Sequence, residues 1–350
     1  MRIGIACDLK LAVTAERQNN AGAPNREPDD VEHREPDDAL EEYDSPVTLE
    51  IIIKALEKKG HRVVNLGGGA QLLSNLLKEK PDFVFNISEG RGTYRSREAQ
   101  SPSVLEMLGI PYTGSDPLTL AVCLDKILTK KLVALDGIPT PKWIVVNTLA
   151  ELEAVNWKGF PFPAIVKPAA EGSSKGIRLS SLAENAAEAQ KEMLRVLQAY
   201  NEPVMVEEFI DGEEITVGVI GNAPTRLVGM MSIIPKKKEK HFVYSVEVKR
   251  DYVNLVDYES PPKLAQKILE KLEEFSIKSF KVLGCRDVSR VDFRVGKNGV
   301  PYFIEINPLP GLGTYSDLII MGIKMGWTHD GVIQTILDTA IERYPQCTNA

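Results

Sequence analysis

The chain has 350 residues and the apolar and charged fractions of an ordinary globular protein, enough for two or three domains. Its formal net charge of -7 argues against a nucleic-acid-binding protein, because such domains usually carry a strongly basic balance. Four scattered cysteines exclude a disulfide scaffold, no apolar run reaches membrane-spanning length, and the first residues read as a strand. We therefore expect a cytoplasmic protein without nucleic-acid or membrane partners.

The first 122 residues predict an α/β domain. Apolar strands and segments of helical periodicity alternate there: strands at 2–7, 61–66 and 81–87, helices at 47–59 and 103–108. Such alternation indicates a parallel sheet with helices on its faces and a ligand at the carboxyl ends of its strands.

Residues 15–44 interrupt this alternation. They are poor in apolar residues and contain the sequence Arg-Glu-Pro-Asp-Asp twice, at 26–30 and 34–38. Low hydrophobicity with dense charge predicts a mobile, solvated insertion. A lid over a neighbouring site is the less favoured alternative.

A helical connection at 117–136 leads to two further units, for which we predict domains at 123–214 and 215–350. The first has strands at 142–146, 164–168 and 204–209 and a helix at 183–200. The second has strands at 214–220, 226–234, 289–295 and 300–306 and helices at 262–283 and 330–344.

The last two strands predict a hairpin that binds a metal ion. They flank Asn-Gly at 298–299, and a two-residue turn there would set Asp292 opposite Glu305 and Arg290 opposite Asn307. The other face would then pair only apolar residues: Val291 with Ile306, Phe293 with Ile304 and Val295 with Tyr302. Opposed carboxylates destabilise a sheet, and a hard cation such as Mg²⁺ removes that penalty. An exposed hairpin with scattered charges is the alternative.

Two further motifs are suited to a nucleotide. Lys167 ends a strand and precedes a Gly/Ser loop at 171–176, which offers phosphate oxygens a cation, hydroxyls and backbone N–H groups. The strand that contains Glu207 and Glu208 could present its edge to adenine and a carboxylate to ribose. A flexible turn and solvated acids are the respective alternatives.

Together these segments resemble the ATP-grasp superfamily and, over nearly the whole chain, the D-alanine–D-alanine ligase family. The stretches that carry the resemblance are EMLGIPYTGS at 106–115, LDK at 124–126, IVKP at 165–168, EGSS at 171–174 and EINPLPG at 305–311. The resemblance implies an α/β (α+β) fold of three domains, with ATP clasped between the second and the third.

The resemblance also implies roles for individual residues. ATP contacts are implied for Lys126, Lys167, Ser173, Ser174, Glu207, Glu208, the backbone of Ile210, Glu214 and Lys249. Two Mg²⁺ ions, with Mn²⁺ as a substitute, would be bound by Asp292, Glu305 and Asn307. Arg290 and the backbone near Gly311 would stabilise an oxyanion, and Ser316 would bind the second substrate's carboxylate. Ser173 and Glu41 complete the implied catalytic set, and the Ser173 loop and residues 236–252 would close as lids.

The implied reaction joins two amino acids through an acyl phosphate, with D-alanine as the default substrate, in cell wall biogenesis. Relatives are commonly homodimers. Three departures lie on the first-substrate side: the sequence NISEG at 86–90, Arg250 in place of a tyrosine, and Glu41, with Glu42 as a rival, for the glutamate that binds the first amine. The alternatives are therefore a ligase for another acid or amine, and a non-catalytic homologue that binds nucleotide.

Overall fold

The computed structural model describes residues 1–10 and 36–347. Its strands are β1 (Arg2–Cys7), β2 (Arg62–Gly67), β3 (Phe83–Ile87), β4 (Trp143–Val146), β5 (Ala164–Pro168), β6 (Leu182–Ala183), β7 (Val204–Glu208), β8 (Gly212–Ile220), β9 (Arg226–Pro235), β10 (Val256–Glu259), β11 (Val288–Gly296) and β12 (Pro301–Asn307). Its helices are α1 (Pro46–Glu57), α2 (Gly69–Glu79), α3 (Gln100–Met107), α4 (Pro117–Leu124), α5 (Lys126–Leu135), α6 (Leu149–Glu153), α7 (Ala186–Tyr200), α8 (Val246–Arg250), α9 (Tyr252–Leu255), α10 (Gln266–Val282), α11 (Asp317–Lys324) and α12 (His329–Ile341).

The first sheet is parallel, in the order β2-β1-β3, which confirms the predicted architecture of this part of the chain. Helix α1 begins at a Ser-Pro pair, where the Ser45 hydroxyl accepts a hydrogen bond from the Thr48 N–H at 3.1 Å. The apolar faces of β1, β3 and α1 share one core with the C-terminal helix α12. The end of the chain thus packs against its first sheet, a contact that the sequence analysis did not predict.

The second sheet is antiparallel, in the order β4-β7-β5-β6, and α7 packs on it. The third sheet is also antiparallel, in the order β10-β9-β8-β11-β12. Its edge strand β10 and helix α11 were not predicted. The proposed domain boundaries at 122 and 214 stay a prediction.

The β11–β12 hairpin pairs Asp292 with Glu305 and Arg290 with Asn307, as predicted. The predicted two-residue turn is wrong. The N–H of Gly296 bonds the Val300 carbonyl at 3.0 Å, and the N–H of Gly299 bonds the Gly296 carbonyl at 2.8 Å, so the loop has three residues. Gly299 adopts the left-handed conformation (φ +71°) that such loops favour at their last position.

A longer loop shifts the register, and a bulge restores it. Phe293 faces Phe303 and Val295 faces Pro301, which corrects the predicted pairs with Ile304 and Tyr302. The register changes between Asp292 and Phe293, because Ile304 is an extra residue on β12. The two deviations cancel, so the carboxylates face one another after all.

The prediction of a solvated insertion is wrong for residues 36–44. Asp38 is completely buried, and Glu42 and Tyr43 are buried beside it. Residues 15–35 of the predicted insertion, including the first copy of the repeat, lie outside the described residues. The four cysteines are buried and form no disulfide, as predicted. Within residues 1–10 and 36–347, no helix combines the length and apolarity needed to span a bilayer.

Candidate active site

A cleft of about 770 Å³ lies between the second and third sheets. Its walls come from β5 and β7 on one side and from β8, β11 and β12 on the other. Ion-pairing side chains from both walls converge on it, and a second cavity of about 900 Å³ adjoins it at Arg290 and Lys249. The two cavities share part of their lining, so ligands bound in them would lie side by side.

Asp292 and Glu305 line the first cavity from the same face of the hairpin. The Arg290 Nη2 lies 2.8 Å from Asp292 Oδ2 and 3.9 Å from Glu305 Oε1. The Thr216 hydroxyl donates to Asp292 at 2.7 Å, and the Lys126 Nζ lies 3.6 Å from Glu305 Oε2. Each carboxylate is thus held by a hydrogen bond or by a nearby cation.

The charge of Glu305 is set by its neighbours. Burial raises the pKa of this carboxyl, but nearby cations outweigh burial and bring the pKa to about 2: Lys126, Lys167, Arg290 and Lys249. The same geometry raises the pKa of Arg290, because Asp292, Asp317 and Glu305 outweigh the opposing effect of its burial. Both groups stay charged over the physiological range of pH.

The donor set of the hairpin suits a hard cation. Asp292 and Glu305 supply carboxylate oxygens, and Asn307 supplies an amide oxygen that accepts the Leu309 N–H at 2.9 Å. In the part of the chain that the structure describes, no three Asp, Glu, His or Cys side chains come together as a ligand group, so a metal here would take its further ligands from substrate. Oxygen-rich coordination with few protein carboxylates is the pattern of Mg²⁺ at phosphates.

The opposite wall contains a buried carboxylate between two lysines. Glu207 is 1% exposed and forms ion pairs with Lys167 and, at 2.5 Å, with Lys130. Glu207 lines the cleft with its carboxylate between the two lysine ammonium groups, and its predicted contact with adenine stays a prediction. Burial lowers the pKa of Lys130 to about 8 in spite of Glu207. Lys130 was not predicted as a site residue. The sequence signal for Lys130 was its position one helical turn after Lys126.

A second residue that the sequence analysis missed is Arg294. Its Nε donates to the Ile210 carbonyl at 2.6 Å, its Nη1 contacts Glu214 at 2.5 Å, and its guanidinium lies 4.4 Å from the ring centroid of Phe209. The Ile210 carbonyl thus already accepts a hydrogen bond from a side chain of the third sheet. Burial raises the pKa of Glu214 although Arg294 opposes this effect. Glu208 lines the same end of the cleft.

The Gly/Ser loop contacts the segment predicted to act as a lid. Ser173 and Ser174 adopt positive φ angles of 50° and 60°. The Ser174 hydroxyl donates to the Tyr244 carbonyl at 3.1 Å, and the Lys249 Nζ lies 5.1 Å from the Tyr244 ring centroid. Ser174 lines the first cavity, Ser173 the second, and Lys249 both.

Ser316 and Gly311 line the second cavity together with Asn307. Ser316 precedes helix α11, and a Cβ atom on Gly311 would lie 2.8 Å from the Ser316 hydroxyl. Glycine at 311 therefore allows this close approach. Asp317, which was not predicted, lies 3.8 Å from Arg290 Nη1.

Both predicted candidates for binding the first amine are already paired. The Arg250 guanidinium contacts Glu41 at 2.7 and 3.0 Å, and buried Glu42 pairs with Arg97 at 2.6 Å and Lys175 at 3.2 Å. Arg97 is itself 1% exposed and was not predicted as a site residue. Glu41 and Glu42 do line the second cavity.

Two other carboxylates line that cavity and form no ion pair within 1–10 and 36–347, namely Asp44 and Glu89. Burial raises the pKa of Asp44 to about 7, opposed by Lys10 and reinforced by Asp8. Burial also raises the pKa of Glu89. Two carboxylates at a cavity wall that form no ion pair among the described residues are suited to a cationic ligand.

Two antiparallel sheets that close on a nucleotide-sized cleft, with lysines on one wall and a carboxylate hairpin on the other, define the ATP-grasp class of ligases. Residues 132–338 match the family model described as D-ala D-ala ligase C-terminus. The chain belongs to the D-alanine–D-alanine ligase family and is an ATP-dependent ligase that forms peptide bonds.

The similarity extends beyond the matched region. A D-alanine–D-alanine ligase from Aquifex aeolicus is 36% identical over 295 residues, 83% of this chain and 93% of the relative. An uncharacterised protein from Sinorhizobium fredii is 32% identical over 84% of this chain and 87% of its own length. The crystal structure of a D-alanine–D-alanine ligase from Bacillus anthracis is 25% identical, covers 98% of both chains and gives a TM-score of 0.71.

Proposed function

We propose that the chain joins two amino acids, with ATP bound in the first cavity and the amino acids in the second. The observation that carries this proposal is the opposed pair Asp292 and Glu305 on the wall of the first cavity, within reach of Lys126 and of Arg290, which lines both cavities. D-alanine is the first substrate to test at both positions, because it is the substrate in the names of the relatives.

The first step activates a carboxylate, which is a poor electrophile. An oxygen of the first substrate's carboxylate attacks the γ-phosphoryl group of ATP, and ADP leaves. Lys126, Lys167 and Lys249 offset the charge on the phosphates, and the Ser173 and Ser174 loop covers them. Two Mg²⁺ ions, or Mn²⁺, bound by Asp292, Glu305 and Asn307 would add further charge neutralisation at the transferring group.

The second step forms the peptide bond. The amine of the second substrate attacks the acyl phosphate carbon, loses a proton and expels phosphate. Arg290, with backbone N–H groups near Gly311, stabilises the oxyanion, and Ser316 binds the second carboxylate. Removing one such donor typically costs about a hundredfold or more in rate. Closure of the Ser173 loop and residues 236–252 excludes the water that would hydrolyse the intermediate.

The amine of the first substrate is assigned to Asp44 and Glu89. Glu41 and Glu42 were the predicted residues, but each is neutralised by a neighbouring cation. An ammonium group between Asp44 and Glu89 would neutralise two carboxylates that the described residues leave unpaired. This assignment replaces Glu41 in the catalytic set.

Further assignments belong to the same proposal. The domains span residues 1–122, 123–214 and 215–350, and the nucleotide lies between the second and third. The adenine ring contacts Glu208 and the N–H of Ile210, and Glu214 holds the ribose. The enzyme acts in the cytoplasm, where ATP is available, as a homodimer.

A second candidate is a ligase of the same chemistry for a different acid or amine. The observation that favours it is the first-substrate wall, where Arg250 lines the cavity together with Asp44 and Glu89, two carboxylates that form no ion pair among the described residues. Such a wall suits a substrate with a cationic group beyond the α-amine as well as it suits D-alanine. The two candidates share every step on the ATP side.

The test is phosphate release from ATP with D- and L-amino acids, supplied singly and in pairs. Release with D-alanine alone supports the leading proposal, and release only with pairs lacking D-alanine supports the second candidate. Nucleotide binding without release for any pair would contradict both and support a non-catalytic protein. Replacing exposed Glu50, which pairs with Lys54 on helix α1, by Gln provides a matched surface control.

A further inference from the structure

Residues 36–44, here called the strap, cross over the Gly/Ser loop at 171–176, here called the phosphate loop. Asp38 anchors the strap there. The Asp38 carboxylate is completely buried. It accepts the Gly176 N–H at 2.9 Å and the Tyr200 hydroxyl at 2.8 Å, and it lies 3.1 Å from the Arg178 Nη2. Asp38, which lies 138 positions before Gly176 in the sequence, therefore holds the phosphate loop on the C-terminal side of Ser173.

The strap also connects the phosphate loop to the segment 236–252, which contains α8 and is here called the lid. Arg178 follows the loop and forms ion pairs with Asp37 and, at 3.4 Å, with Glu247 of α8. Arg250, at the end of α8, contacts Asp37 at 2.8 Å and Glu41 at 2.7 Å. Arginines from the loop and from the lid thus meet the same short acidic segment.

The phosphate loop and the lid also contact each other directly, through two hydrogen bonds. The Val246 N–H donates to the Ile177 carbonyl at 3.1 Å, and the Ser174 hydroxyl donates to the Tyr244 carbonyl. These bonds need the loop in one fixed conformation, which the Asp38–Gly176 bond supplies. Two of the loop's residues, Ser173 and Ser174, have positive φ angles that L-residues adopt only when their surroundings impose them.

The different burial of Asp38 and Asp37 indicates which of the two contributes more to holding the phosphate loop. Asp38 has no access to water, so a change that removes its charge takes away the buried carboxylate that pairs with Arg178 and accepts the Gly176 N–H. Asp37 is exposed, and exposed ion pairs contribute little each. A large effect is therefore expected at Asp38 and a small, salt-dependent one at Asp37.

We propose that the strap is a positioning element of the ligase: Asp38 holds the Ser173–Gly176 loop in its ATP-binding conformation, and Asp37 ties that loop to the α8 lid. Neither residue touches a substrate. The inference rests on the proposed function only in that the loop binds the phosphates of ATP. It also gives the acidic segment a role that its composition did not predict.

The test measures Mg·ADP binding by calorimetry, alongside kcat and KM for ATP. Asp38→Asn should weaken ADP binding by about tenfold or more, because a buried charged acceptor is lost. Tyr200→Phe removes one donor and keeps the carboxylate, so its effect should stay below about threefold. Glu50→Gln, on the exposed side of helix α1, is the surface control, and thermal unfolding reports whether each variant is folded.

Asp37 provides a second variant, and because its side chain is exposed, its replacement should leave the fold intact. Asp37→Ala should raise the KM for ATP by about two- to fivefold at low salt, with kcat nearly unchanged, and the effect should vanish at high salt. Asp37→Glu should restore the wild-type value. A structural role alone would give neither the salt dependence nor the rescue.

The two proposals fail in different ways. ADP binding by folded Asp38→Asn within twofold of wild type, or an Asp37→Ala effect that Glu does not rescue, would overturn the positioning role. Failure of the wild type to release phosphate with any amino acid would overturn the ligase function while the ADP measurements remain readable.

Discussion

The charge of Glu305 is the single-residue feature on which metal binding depends. Its low pKa keeps the carboxylate ionised at neutral pH, and its distances of 3.6 Å to Lys126 and 3.9 Å to Arg290 leave room for a cation. Glu305→Gln removes the charge and keeps the shape. Turnover should fall about a thousandfold, since metal stabilisation is worth several kcal/mol in the transition state.

Phosphate release measures this loss, and circular dichroism with thermal unfolding shows whether the fold is intact. The cations that lower the pKa of Glu305 lose a partner in this variant, so the free energy of unfolding should fall while the fold stays intact. Near-normal turnover of a folded Glu305→Gln variant would contradict the metal assignment.

A pH profile tests the carboxylate assigned to the first amine. Burial raises the pKa of Asp44 to about 7, so the carboxyl is neutral below this pH and attracts an ammonium group above it. The KM for the first amino acid should therefore fall as the pH rises from 6 to 8. Asp44→Asn should have a higher KM without this pH dependence.

Asp44→Glu keeps the charge and is the matched control, with partial retention of the profile. The KM for ATP should not change in either variant. A wild-type profile in Asp44→Asn would show that another group binds the amine.

At the scale of elements, the β11–β12 hairpin shows which features of a hairpin a sequence pattern predicts and which it does not. The Asn-Gly pair predicted a turn in the right place and the correct facing of Asp292 and Glu305. The turn length was wrong, and the bulge at Ile304 compensated for it. Because of the bulge, Ile304 lines the cleft beside Glu305 instead of joining the core. Turn signals do not encode bulges, which depend on how the whole sheet twists and packs.

The loop geometry gives a stability prediction. Gly299 has a φ of +71°, which costs most L-residues about 1–2 kcal/mol and asparagine less. Gly299→Ala should lower the free energy of unfolding by about 1 kcal/mol. A Cβ there meets only Ile268, at 3.5 Å, so strain and not a clash would cause the loss.

Urea unfolding of Gly299→Ala and Gly299→Asn separates these contributions. The asparagine variant should lose less stability than the alanine variant. Equal losses in both would show that the left-handed conformation is not what the position requires.

At the scale of the whole molecule, contacts between distant segments are what the sequence could not provide. Motifs of a few residues identified Lys126, Lys167 and the hairpin, and periodicity located most strands and helices. Three contacts join parts that are far apart in the chain: the ion pairs of Glu207 with two lysines, the hydrogen bond from Gly176 to buried Asp38, and the packing of α12 on the first sheet. Composition alone made residues 36–44 look solvated, because charge patterns do not show which acids will meet buried arginines.

The central claim is that a substrate carboxylate attacks ATP in this cleft, and oxygen labelling tests it most directly. The accepted amino acid is supplied with ¹⁸O in its carboxyl group, and the released phosphate is analysed by mass spectrometry. Attack by the carboxylate leaves its bridging oxygen on phosphorus when the amine displaces phosphate, so each phosphate should carry a single ¹⁸O atom. Phosphate without the label, or phosphate that takes its new oxygen from labelled water, would contradict the mechanism.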